Sequence, residues 1–349
     1  MGLNLLLVFM PVALGLNYFQ ANPILVFLTS ALAIIPLAGL MGRSTEEISA
    51  YVGPTVGGLL TASLGNAPEL IIAVFALHEG LYDVVRASIT GSILGNTLFT
   101  LGLSMFLGGL RHPRQCFNRA AACMNSQLLL LAAIALIVPA LFKFASARHE
   151  HELSLEIAGV LFVVYCLSLV FTLKTHRNLF ALQEAAEEDA KEGGLRWSKN
   201  RALGMLAAVT VGVAIMSETL VGAIEPAASS LGLTPIFAGV ILLALVGNAA
   251  ELANAIRFAR QDMMDLTLGI AVGASLQVAL FVAPVLVFVS YALGRPLDLL
   301  FTPFEVVAVA LAIVIVTRVT SDGESHWMEG AMLIAVYLIL AYAFYFLPS

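Results

Sequence analysis

Apolar runs long enough to cross a bilayer, about 20 residues each, alternate with short polar breaks along the whole chain. They fall at 3–19, 24–50, 54–79, 83–110, 118–143, 153–175, 201–224, 233–258, 264–293, 303–319 and 327–347. The pattern predicts eleven transmembrane helices and an all-α polytopic membrane protein. Asn22-Pro23, Gly53-Pro54, Glu225-Pro226, Thr234-Pro235 and Thr302-Pro303 punctuate the runs as starts and stops. The one long polar stretch, 176–200, separates the first six runs from the last five. Within it Glu184, Glu188 and Glu192 recur at i, i+4 and i+8 beside Glu187 and Asp189, and Gly193-Gly194 closes the segment. That spacing predicts a short acidic helix, serving either as a solvated linker or as a surface that gathers or senses cations.

One apolar run is interrupted by Gly65-Asn66-Ala67-Pro68-Glu69, and the motif returns as Gly247-Asn248-Ala249-Ala250-Glu251. Aligned on it, 57–94 and 239–276 share Gly57, Ala62, Leu70, Ala73, Asp83, Gly91 and Leu94 besides the motif itself. Glu69 falls on the third predicted helix and Glu251 on the eighth. Five helices separate the copies, an odd number, so the second must enter the membrane from the opposite side. This predicts an inverted repeat of five plus five helices with one extra at the amino terminus. The expected divisions are 1–22 for the extra helix, 23–178 for the first repeat, 179–200 for the acidic linker and 201–349 for the second repeat.

Charge sets the expected orientation. Thirteen Lys and Arg lie on the side of the ladder that holds the amino terminus and four (Arg86, Lys143, Arg148, Arg295) on the other, which predicts a cytoplasmic amino terminus and an outer carboxyl terminus. The expected location is a prokaryotic inner membrane. With 60% apolar residues, 11% charged and a mean hydropathy of +0.95, the chain has too little polar surface for a soluble domain of 349 residues. The net charge of −6 says little about nucleic acid, and the basic patches and exposed aromatics that such a partner needs are missing. Met1 to Pro11 carries no basic residue before its apolar run and no small-residue cleavage site, so it reads as a retained helix. Cys116, Cys123 and Cys166 are odd in number and form no C-x-x-C, which argues against a structural disulfide or zinc site.

A carboxylate at mid-membrane costs about 2.5 to 3.5 kcal/mol on insertion scales and is a functional residue by default. Two at equivalent points of a repeat double that argument. Gly65 and Pro68 weaken the helix around Glu69, and backbone broken at membrane depth is tolerated where it lines a cavity and turns carbonyls toward a cation. The Asn66 and Asn248 amide oxygens and the Glu69 and Glu251 carboxylates complete an all-oxygen donor set with the Gly65 and Gly247 backbone. No His or Cys is present to suit zinc or copper, so calcium fits best and manganese remains open. One divalent ion or two protons neutralise the pair, whereas the empty site holds two like charges in low dielectric and is unable to cross. That is the logic of an antiporter. No cofactor is expected beyond the transported ion; the partners are Ca²⁺, H⁺ and the lipid bilayer, with a homo-oligomer left open.

Ser88, Ser92, Asn96, Thr100 and Ser104 recur by four along the fourth helix, and Ser275 and Gln277 follow on the ninth. Ser92, Asn96, Ser275 and Gln277 are candidate lining residues; Ser88, Thr100 and Ser104 read more simply as close-packing residues. Glu46 and Glu218, each after a hydroxyl residue, and Glu225, two turns beyond Glu218, are candidates for proton handling or a gate. Helix-end solvation is the plainer account of Glu46, Glu47 and Glu225. His149 and His151 lie in an outer loop, where a metal role has little support.

These residues resemble the calcium/proton exchanger branch of the calcium/cation antiporter superfamily, the cation/proton exchangers, over nearly the whole chain. Gly65 to Glu69 with Gly91-Ser92-Ile93-Leu94-Gly95-Asn96, and Gly247 to Glu251 with Gly273-Ala274-Ser275-Leu276-Gln277 leading into Phe281-Val282-Ala283-Pro284, look like its two signature repeats. The resemblance implies eleven helices, an acidic helix between the halves, Ca²⁺ held by both glutamates and nearby carbonyls, and a site shaped by Asn66, Asn248, Ser92 and Gln277. It also implies proton handling by Glu218. Pro68 stands where that family commonly has valine and is similar to the Pro-Glu of sodium/calcium exchangers. Ca²⁺/H⁺ antiport is the leading expectation, Na⁺-driven Ca²⁺ exchange the rival and a cation channel the reading from another class. An enzyme is not expected, since neither H-E-x-x-H nor G-x-S-x-G occurs.

Overall fold

The computed structural model describes residues 3–145, 150–176 and 197–347. The acidic segment with Glu184, Glu187, Glu188, Asp189 and Glu192 lies outside them, as does His149. The described residues are predominantly helical. Seven helices are long and apolar enough to cross a membrane, or nine when two sharply bent pairs are each taken as one span. The pairs are Val56–Leu64 with Ala67–His78, bent by 45°, and Pro235–Gly247 with Ala249–Ala259, bent by 57°.

Helix starts follow the side-chain chemistry of the sequence. Asn22 caps Pro23–Val52 by accepting from the Ile24 N–H at 2.9 Å, Ser198 caps Lys199–Ser230, and Thr234 and Thr302 cap helices that begin at Pro235 and Pro303. Gly53 adopts φ +84°, the left-handed turn that lets the chain reverse between Val52 and Pro54. One stop signal misleads. The helix expected over 201–224 runs Lys199–Ser230, through Glu225-Pro226. A proline removes one helical hydrogen bond, and residue 222, whose carbonyl that bond would use, is a glycine with no side chain to crowd the ring.

The chain forms two compact units, each drawing segments from both halves of the sequence: Met1–Ser88, Leu195–Ala250 and Ala343–Ser349 in the first, Ile89–Gly194 and Glu251–Tyr342 in the second. In the first unit Pro23–Val52 and Lys199–Ser230 pack along each other, with Ile34, Met41, Val213, Met216 and Leu220 buried. Pro54–Leu64 folds back on Pro23–Val52, and Ala67–His78 lies on Lys199–Ser230. Trp197, 8% exposed, fastens one end of this unit. Its N–H donates to Glu47 Oε2 at 3.0 Å, its carbonyl accepts from Tyr51 Oη at 2.7 Å, and the Arg43 and Arg201 guanidinium groups stand 4.8 and 5.1 Å from its ring centroid. Glu47, expected as a solvated helix-end acid, is thus half-buried in a defined bond.

In the second unit Arg119–Ala145 packs against Pro303–Val319 and Met264–Gln277, and Ala283–Ala292 against Glu150–Val170. Helices Leu101–Gly109 and Trp327–Phe346 approach to backbone contact: a β-carbon on Gly102 would stand 2.8 Å from Leu333 Cβ, and one on Gly330 would overlap the Phe106 and Gly102 backbone. Such small-residue seams are how helices bind one another in lipid, where no hydrophobic drive brings them together. At one end, Gln115–Cys116 pairs antiparallel with Glu324–Ser325, Gln115 Nε2 donates to Ala259 O and Asp262 Oδ1, and the Asn118 N–H donates to Asp265 Oδ1. Three interhelical loops are so tied together. There Glu324, bonded to Arg114, holds that guanidinium above its ordinary value.

A candidate cation site

Each of the two Gly-Asn-x-x-Glu motifs lies at a sharp bend, and each glutamate lies in the first turn of the helix that follows. The bends are tighter than the unwound stretches expected from the sequence. Gly65 keeps helical angles, and Asn66, at φ −99° and ψ 25°, is the residue that departs; Asn248, at φ −92° and ψ 11°, does the same in the second motif. Both glutamates are the third residue of their helix, Ala67–His78 and Ala249–Ala259, so the positive end of a helix dipole underlies each carboxylate. Pro68 has no N–H to offer the Leu64 carbonyl. Asn248 instead closes its bend, its Nδ2 donating to Ala244 O at 2.7 Å.

Asn66, Glu69, Gly247 and Asn248 all belong to the first unit, and there the two motifs meet. A β-carbon on Gly247 would stand 3.1 Å from Glu69 Cγ and 3.5 Å from its Oε1, so glycine at 247 lets the carboxylate lie directly on the second motif's backbone. Glu69 is 9% exposed, Asn66 3% and Asn248 4%. Buried donors of this kind, all oxygen, are what a hard divalent cation takes as ligands. Glu251, with which a segment of the second unit begins, is half-buried, and its Oε2 is enclosed with no hydrogen-bond partner among the described residues.

Ser92, Asn96, Ser275 and Gln277 lie in the second unit. Ser92, Asn96 and Ser275 are buried and Gln277 is half-buried. The serine and asparagine stripe is not the regular one expected. Tyr82–Leu94 passes into a π-helical turn, Gly95–Thr100, before Leu101–Gly109 resumes, and the wider turn shifts the register of Ser104 with respect to Ser92. Another π turn, Val278–Val282, follows Gln277. The Gly95–Thr100 turn packs against Met264–Gln277, which brings the segment of Asn96 to the helix of Ser275. Ser275 Oγ donates to its own helix at Ala271 O, 3.1 Å, and Thr100 Oγ1 to Asn96 Oδ1, 3.5 Å. Glu46, Glu218 and Glu225 lie on exposed faces of the two long helices of the first unit. Among the described residues no three His, Cys, Asp or Glu side chains gather as a further metal cluster.

Sequence reasoning passed over Glu305, a carboxylate 2% exposed whose Oε1 accepts from Thr90 Oγ1 at 3.1 Å. The signal was present: Thr302-Pro303-Phe304-Glu305 has the spacing of a capping box.

The family described as sodium/calcium exchanger protein matches residues 22–174 and 201–346. A Ca²⁺/H⁺ antiporter of Synechocystis is 46% identical, the match covering 99% of this chain and 97% of the relative. The Ca²⁺/H⁺ antiporter ChaA of Bacillus subtilis is 44% identical, covering 92% of each. The solved structure of native YfkE superposes with a TM-score of 0.86 at 38% identity, over 99% of this chain and 100% of that one.

Proposed function

The chain belongs to the sodium/calcium exchanger protein family, in its Ca²⁺/H⁺ antiporter branch, and from that premise we propose how it works: Ca²⁺ and protons compete for Glu69 and Glu251. It is an integral membrane protein that exchanges Ca²⁺ for H⁺. Ca²⁺ neutralises both carboxylates and so does a pair of protons, while the empty pair carries two charges that low dielectric holds in place. Only loaded forms reorient, and that couples the two fluxes. The observation that most directly supports this reading is the Glu69 side chain lying on Gly247, within a set of buried oxygen donors. Asn66, Asn248 and the backbone at Gly65 and Gly247 supply further oxygens, and Ser92, Asn96, Ser275 and Gln277 line the path. Glu218, with Glu46 and Glu225, handles protons or gates their approach, and the 184–192 segment serves either as a solvated linker or as a sensor of cytoplasmic cations.

The finer architecture is eleven membrane helices, an extra first helix and two inverted five-helix repeats, with the amino terminus inside a prokaryotic cell. Supporting it, the bends at Asn66 and Asn248 and the π turns at Gly95–Thr100 and Val278–Val282 fall at matching points of the two motif-bearing stretches. Sodium-driven exchange is set aside because relatives that match 92–99% of the chain at 44–46% identity are Ca²⁺/H⁺ antiporters.

The test is Ca²⁺ uptake into proteoliposomes under an imposed proton gradient with no sodium on either side. Uptake should follow the gradient, and added Ca²⁺ should discharge it; an absolute requirement for sodium would overturn the reading.

A further inference from the structure

Glu305 has no part in that cycle, yet it is a buried carboxylate in a membrane protein, where such groups are retained at a cost. Part of its environment is a helix cap. Thr302 Oγ1 accepts from the Glu305 N–H at 3.2 Å, and Glu305 Oε2 accepts from the Thr302 N–H at 2.8 Å, the reciprocal pair of a capping box at the start of Pro303–Val319. A cap needs neither burial nor a second anchor. The other oxygen, Oε1, accepts from the hydroxyl of Thr90, a residue with no exposed surface on a different helix of the same unit.

Thr90 occupies a point where an anchor matters. It sits one residue before Gly91-Ser92, and five residues on its helix passes into the π-helical stretch Gly95–Thr100 that carries Asn96. A π turn is looser than the α-helix around it, and its position along the chain sets the rotation of every side chain on either side. Thr97 Oγ1 bonds only within its own helix, to Ile93 O at 2.6 Å, a contact that rotates with the helix and cannot fix its rotation. The Thr90 to Glu305 bond reaches outside it, and the helix that bears Glu305 also packs on the Gly95–Thr100 turn.

We propose that Glu305 is a positioning residue that, through Thr90, fixes the rotation of the Ser92 and Asn96 segment with respect to the transported cation. This rests on the reading of Ser92 and Asn96 as lining residues. The carboxylate is held by its own cap on one oxygen, so that the other is presented to Thr90 in one orientation. Glutamine could serve the same geometry, its Oε1 accepting from the Thr302 N–H and its Nε2 donating to Thr90 Oγ1. The charge itself is therefore dispensable, which separates positioning from proton carriage.

The experiment measures KM for Ca²⁺, maximal rate and thermal melting of purified variants in proteoliposomes under one imposed proton gradient. Thr90→Val leaves the cap intact and should raise KM about five- to tenfold, the loss of one ordinary hydrogen bond, with the maximal rate and the melting temperature little changed. Thr90→Ser should restore KM, and Glu305→Gln should stay close to wild type. A merely structural bond would move the melting temperature and leave KM alone. Should Thr90→Val fail to insert, Thr90→Ala removes the same bond with a smaller side chain. Wild-type KM in Thr90→Val or Thr90→Ala overturns the proposal, as does loss of transport in Glu305→Gln with normal transport in Thr90→Val, which would make Glu305 a proton carrier. Asn96→Ala run in parallel keeps the two readings apart: wild-type KM there removes the lining role from Asn96 and leaves the brace judged by Thr90 alone.

Discussion

Glu69 occupies the space that a side chain on Gly247 would need, so the acid of the first motif and the glycine of the second form one surface. A methyl group at 247 must push the Glu69 side chain or the bend itself by some tenths of an ångström. Gly247→Ala should therefore fold and insert but raise KM for Ca²⁺ by about tenfold, on the order of 1.4 kcal/mol of ligand geometry. Uptake kinetics on the purified variant read this directly, and an unchanged KM would mean that the Glu69 carboxylate does not bind from this position.

Glu69→Gln and Glu251→Gln should each abolish exchange while leaving the melting temperature within a few degrees of wild type. Glutamine keeps the shape but cannot trade a proton for a cation. Transport near the wild-type rate in either variant would end the coupling argument.

Pro68 invites the view that proline makes the first bend, yet the second bend is larger, 57° against 45°, with Ala250 in the matching place. Pro68→Ala should thus keep the bend and retain transport within about threefold, a change under 1 kcal/mol. A straightened helix, seen as lost exchange with normal insertion, is the contrary result.

Trp197→Ala removes a ring that is nearly enclosed and flanked by two guanidinium groups, although the Glu47 and Tyr51 bonds go to its backbone and remain available. The expected loss is about 3 kcal/mol of stability, visible as a lowered melting temperature in detergent. Trp197→Phe, which keeps an aromatic face, should recover part of it.

Much of this was legible from residues alone. Asn22, Thr234 and Thr302 announce helix starts because capping is local chemistry, and the repeated Gly-Asn-x-x-Glu stands out because charge is rare in apolar runs. What lay beyond reach depends on packing between distant segments. Nothing near Gly247 says that Glu69 will lie on it, and although Leu98-Phe99 recurs as Leu280-Phe281 inside the π turns Gly95–Thr100 and Val278–Val282, an apolar pair of this kind does not announce a π turn. Pro226 misled because its rule was formed on helices in water, where a broken hydrogen bond is readily replaced by solvent and the helix ends. Glu305 was overlooked for a different reason: its capping spacing is common at ordinary helix starts, and only the fold brings Thr90 to its other oxygen.

Backbone meets backbone where Gly102 and Gly330 join the Leu101–Gly109 and Trp327–Phe346 helices, and nothing soft lies between to absorb displacement. A small separation opens a gap narrower than a hydrocarbon chain; lipid cannot fill it, and the facing atoms lose their dispersion contacts outright. The seam has a closed state and an open state with little between them, so heat should part it in one step. The same logic shapes what inheritance can change. Ile339 and Tyr342, large and exposed on the same helix, can drift among apolar alternatives, while the two residues with no side chain at all are the ones least open to replacement.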